Sequence, residues 1–127
     1  RAEFANEFGA DLSVKIHADG SEDSKVHGVS VLVPGGEYIK DEKLLSESRK
    51  AGELVLEEFV KATGAYNRGI SVRNDLTGFN WTKVPVILVE MGFMTNQNDD
   101  LKLNDAEFQK TMVQGIANGI DNYFGIN

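Results

Sequence analysis

Residues 84–90 read Val84-Pro85-Val86-Ile87-Leu88-Val89-Glu90, and the fold turns on how this run is read. Its β-branched residues favour extended chain. A nearly continuous apolar run, with no polar alternation, suits a central strand covered by helices on both faces, as in parallel sheets. Pro85 stands at the beginning of the run, where a strand tolerates the loss of one N–H donor. The run ends at Glu90. A carboxylate there has to leave water at least in part, so its charge must be met by a proton, an ion pair or a metal. Spacing alone leaves two readings open, a general acid/base with a raised pKa or a strand-end ion pair with a Lys or Arg.

Working outward, Val29, Val31 and Val33 give a second strand, stopped by Pro34-Gly35-Gly36. Leu12, Val14 and Ile16 alternate with Ser13, Lys15 and His17, the period of a strand with one buried face that ends at His17. Residues 69–74 could add a short strand. Over residues 41–63 the apolar Leu44, Leu45, Leu54, Val55, Leu56, Phe59 and Val60 recur at helical spacing, and Gly64 stands where a C-terminal cap belongs. In the last helix Asn104 can cap, Glu107 follows three residues on, Phe108, Met112, Ile116, Ile120 and Phe124 form a stripe, and Gly125 ends it.

At the front, Phe4, Ala5 and Phe8 are spaced as on a helix over residues 1–8. That helix enters without a cap or turn, which reads as an N-terminal truncation, with residues 1–127 the greater, C-terminal part of one domain. The order helix, strand, strand, helix, strand, strand, helix indicates an α/β fold in three layers, a mostly parallel or mixed central sheet covered by helices. Ligands of such sheets gather beyond the carboxyl ends of the strands, and both His17 and Glu90 fall there. His27 opens the second strand, so it lies at the far end if those two strands run parallel.

Composition narrows the chemistry. The chain has no cysteine, so a transition metal would have to be held by His, Asp or Glu. Thirteen basic against 20 acidic residues give a net charge of -7, which disfavours nucleic acid or another polyanion as partner. No stretch approaches the roughly 18 apolar residues of a membrane span. A neutral imidazole is a common metal ligand, but a lone His is more often a hydrogen-bonded structural residue, since catalytic zinc takes about three protein ligands.

Two segments carry a family resemblance. Residues 9–19, Gly-Ala-Asp-Leu-Ser-Val-Lys-Ile-His-Ala-Asp, and residues 85–96, Pro-Val-Ile-Leu-Val-Glu-Met-Gly-Phe-Met-Thr-Asn, closely resemble the two signatures of the zinc-dependent N-acetylmuramoyl-L-alanine amidases, in the family's order. Residues 28–31 and Arg68-Gly69-Ile70 with Arg73 resemble the segments between them. The resemblance implies a hydrolase that cuts the peptide stem from peptidoglycan outside the cytoplasm, at the cell wall. It implies Zn2+ as cofactor, His17 as a zinc ligand and Glu90 as the catalytic residue. The family's two other ligands, a His and a Glu, precede the point where this chain begins, so the chain alone is expected to bind zinc weakly or not at all and to be inactive by itself. A catalytically inactive, wall-binding member of the family and a zinc carboxypeptidase are the alternatives.

Within that reading, Arg73 and Asn74, just past the short strand, could meet the anionic stem, because an Arg fork matches a carboxylate; a surface ion pair is the competing reading. Phe79 and Trp81 lie where the sequence departs from the family pattern and could stack on sugar or peptide, or fill the core.

Overall fold

The apolar run at 84–90 forms an inner strand of a four-stranded mixed sheet. The computed structural model describes residues 2–126; Arg1, expected to start the first helix, lies outside them. The elements are α1 (Ala2–Phe8), β1 (Ser13–Asp19), β2 (Val29–Pro34), α2 (Glu42–Thr63), β3 (Asn67–Arg73), α3 (Thr77–Asn80), β4 (Val86–Phe93), α4 (Gln97–Leu103) and α5 (Ala106–Phe124). The strands lie in the order β1-β4-β2-β3. β4 runs parallel to β1 and antiparallel to β2, and β2 runs parallel to β3.

Helices lie on both sides of this sheet. On one side α2 and α5 cover Val29, Val31, Val33, Ile87 and Val89, with Phe59 and Met112 in the same buried cluster. On the other side Leu32 and Val86 pack with Phe79 of α3 in a smaller cluster. The inner strands β2 and β4 are therefore buried on both faces, as the uninterrupted run required. The outer strand β1 is different: Ile16, expected inside, is 52% exposed, because an edge strand has a neighbour on one side only.

α2 begins where Asp41 accepts a hydrogen bond from the Leu44 N–H and ends at Gly64 in the left-handed conformation. Its buried Ser48 hydroxyl accepts the Val86 N–H at 3.0 Å, which satisfies a donor at the start of β4. α5 packs on α2 through Gly115 and Gly119. A Cβ on Gly115 would stand 2.9 Å from Cα of Phe59, and one on Gly119 would collide with the backbone of Val55.

Near the far end of the same helix pair the Tyr123 hydroxyl donates to Oε1 of Glu47 at 2.8 Å. Burial, reinforced by the carboxylate partner, pushes the Tyr123 pKa up to about 12. The unfolded chain releases this proton near pH 10 while the folded one retains it, so folding binds a proton between those values and stability must fall as pH rises. Chemical denaturation at pH 9 and pH 11 should show a loss over that interval that is smaller in Tyr123→Phe. An equal loss in both proteins would mean that Tyr123 is not its source.

Two helices escaped the sequence reading. α3 is a single turn inside the Phe79 segment, and α4 is capped by Asn96, whose side chain accepts from the Asp99 N–H. Asn104 consequently closes α4, and Asp105 rather than Asn104 caps α5, accepting from the Glu107 N–H.

Candidate active site

Parallel pairing of β1 with β4 sets His17 directly beside Glu90. Residues facing each other on neighbouring strands point to the same face, here the face away from α2 and α5. Nδ1 of His17 lies 2.9 Å from Oε1 and 3.0 Å from Oε2 of Glu90, so the imidazole nitrogen is within hydrogen-bond reach of both carboxylate oxygens. The environments of the two differ sharply: the His17 side chain is 60% exposed, whereas Glu90 is 6% exposed. Burial raises the Glu90 pKa above the usual carboxylate range, against the opposing pull of the hydrogen bond to His17.

The pair sits in an open groove of about 680 Å³ whose walls include Asp19, Ser30, Leu32, Arg68, Ser71, Arg73 and Phe93. Ser30 of β2 faces Glu90 from the other side. Among the described residues no group of three His, Cys, Asp or Glu side chains is placed to hold a metal ion. His17 and Glu90 thus provide nitrogen and oxygen donors of the kind zinc accepts, but fewer than the three or so that a catalytic zinc uses.

The other expected residues are placed as follows. Arg73 lines the groove, but its guanidinium is bound in a two-pronged pair with Asp75, at 2.8 and 2.6 Å. This partner, two residues along the chain, was not anticipated from the sequence. Asn74 does not line the groove: its Oδ1 accepts the Glu37 N–H at 3.0 Å, so its side chain secures the turn after β2. Neither Phe79 nor Trp81 is part of the groove. Phe79 is core, 1% exposed, and Trp81 is 70% exposed beside the amino end of β4, away from Glu90.

His27 requires the larger correction. Because β2 is antiparallel to β4, the start of β2 lies at the same sheet edge as Glu90 and not at the opposite one. His27 instead lines a second hollow of about 320 Å³ with Met91, Phe108 and Met112, against the Tyr66 ring at 5.2 Å. The backbone between these hollows is fixed by Asp99, whose Oδ2 accepts from Gly28 N–H at 2.9 Å and Phe93 N–H at 3.0 Å. Nothing in the hydrophobic pattern singles out Asp99; the Asn96 cap three residues after β4 was the available signal.

The chain is 28% identical over 124 residues, 98% of its length, to an uncharacterized cell wall amidase of Bacillus anthracis, of which it spans 23%. It superposes with a TM-score of 0.85 and 28% identity on the catalytic domain of CwlV, an N-acetylmuramoyl-L-alanine amidase from Bacillus (Paenibacillus) polymyxa var. colistinus, covering 99% of this chain and 64% of that one. For Ami1, the N-acetylmuramyl-L-alanine amidase of Mycobacterium smegmatis, the TM-score is 0.87 at 25% identity, over 98% and 58%. The chain therefore spans less than two thirds of these relatives. Residues 1–122 match the Amidase_3 family, described as N-acetylmuramoyl-L-alanine amidase, and the chain belongs to that family.

Proposed function

We propose that the protein hydrolyses the amide bond between N-acetylmuramic acid and L-alanine in peptidoglycan, with Glu90 as general base and His17 as a ligand of zinc. The observation that carries this reading is the His17–Glu90 contact near the carboxyl ends of two parallel strands, in an open groove of about 680 Å³. Family membership supports the bond and the substrate. The family is generally zinc-dependent, and we read His17 as the ligand contributed by this chain, with the remaining ligands drawn from outside residues 2–126. Relatives named as cell wall amidases support action at the wall.

When bound, zinc would supply Lewis acidity toward the scissile carbonyl and its attacking water. The chain's own residues do the rest. Glu90, buried and with a raised pKa, takes the proton of the attacking water on a carboxylate oxygen and returns it to the departing L-alanine nitrogen. His17, on the adjacent strand, fixes where that carboxylate points. Arg73 lines the wall of the groove with its guanidinium held by Asp75.

Incubating the zinc-loaded protein with purified peptidoglycan should release stems with a free L-alanine N-terminus. His17→Ala should abolish this release and lower the zinc retained after dialysis, measured by metal analysis. Release of C-terminal residues would instead identify a carboxypeptidase, and wall binding without release a non-catalytic module.

A further inference from the structure

Two arginines stand in the groove beside Glu90, and they are not equivalent. Arg73 is already neutralised by Asp75. Arg68 makes no ion pair with any carboxylate among the described residues, yet its guanidinium is held in place. Its Cζ lies 5.3 Å from the centre of the Phe93 ring, and Nη1 lies 3.5 Å from the His27 carbonyl. Its stem passes over Gly28, where a Cβ would come within 3.1 Å of its Cγ. A cation restrained by a ring face and a carbonyl, and lining a groove, is organised in advance for an anion.

The backbone explains how Arg68 comes to be there. Along β3, Ile70 faces the helix-covered core, so strict alternation would turn Arg68 to that side as well. Gly69 breaks the alternation with a positive φ of 86°, and the β2–β3 register shifts between Val29 and Val31. Arg68 is thereby turned to the rim of the groove. Its strand lies two strand spacings from that of Glu90, about 10 Å. An extended peptide advances roughly 3.3–3.6 Å per residue, so Arg68 is reached two to three residues from the bond at Glu90.

We propose that Arg68 is the specificity determinant of this groove, receiving a carboxylate carried by the peptide stem two to three residues beyond the scissile amide. This rests on the amidase reading above and adds to it a preference for acidic over amidated stems.

The test compares two N-acetylmuramoyl peptides that differ only in a free carboxylate or a primary amide on the second residue. The zinc-loaded protein should favour the acid by about tenfold in kcat/KM, carried by KM, the low end for a charged hydrogen bond at a partly solvated site. In Arg68→Ala that ratio should fall to near one, and Arg68→Lys should retain part of it. Arg68→Gln, which keeps most of the stem, carries the test if the alanine variant unfolds. No acid preference in the parent protein, a preference that survives Arg68→Ala, or one lost in Arg73→Ala instead would each overturn the proposal. If neither peptide is cleaved, the hydrolase reading fails. Arg68 is then judged by calorimetric binding of the same pair: an acid preference removed by Arg68→Ala sustains it, and equal or absent binding overturns it.

Discussion

Replacing Glu90 by glutamine is expected to lower kcat on peptidoglycan by about 10²–10⁴ while leaving the protein folded. The substitution keeps the side chain's shape and hydrogen-bonding reach toward His17 and removes only the ability to accept a proton. A general base is worth about that factor, so a loss below roughly tenfold would deny Glu90 the role. Stability separates this outcome from trivial unfolding. Among the described residues Glu90 is the one buried carboxylate, and replacing it by a neutral amide removes the cost of desolvating its charge. The melting temperature of Glu90→Gln should therefore equal or exceed that of the parent protein, measured alongside the rate.

Gly119→Val should have the largest effect on stability. Helix propensity favours the change by somewhat under 1 kcal/mol, since glycine is a poor helix former. Sterics oppose it: any Cβ at this position meets the Val55 backbone of α2, with the Leu54 carbonyl 3.0 Å away. Backbone cannot rotate aside as a side chain can, and overpacking of this kind costs about 1–3 kcal/mol or more. The steric term wins, and α5 must move away from α2, opening the cluster around Phe59, Met112 and Ile116. At roughly 4 °C per kcal/mol for a domain of this size, a fall in melting temperature of about 10 °C is expected by calorimetry. A valine variant melting within about 2 °C of the parent would show that the two helices separate easily.

The parts of the fold legible in the sequence were those whose burial is symmetric or periodic. The run at 84–90 announced an inner strand because nothing polar interrupts it, and the stripe from Phe108 to Phe124 announced a helix with one buried side, although Phe124 itself is exposed at the helix end. Strand direction was not legible, because hydrophobic pattern carries no sign. That is why the place of His27 hung on whether the first two strands run parallel, which they do not. The small helices were missed because α4 has no buried residue and α3 is only one turn long. Within the groove, His17 and Glu90 were legible as partners, and the structure brings them into contact, although neither ends its strand as expected: β1 runs on to Asp19 and β4 to Phe93. Arg73 and Asn74 were read by position alone, and position does not reveal that Asp75 or the Glu37 N–H has already taken their hydrogen bonds. Arg68 was hidden for the opposite reason, since a regular strand would have faced it elsewhere.

The strand order has a kinetic consequence. β1 finds its partner in β4, and the two groups that meet in the groove are 73 residues apart in sequence. Closing so long a loop is entropically unfavourable until β2 and α2 have given β4 a surface to dock on, and topologies dominated by distant pairings fold slowly. During synthesis β1 must leave the ribosome well before its partner strand exists and wait with its edges unpaired. The imidazole and the carboxylate therefore meet only once β4 has docked, so a piece of this chain that ends before β4 would carry His17 without the strand that sets it against Glu90.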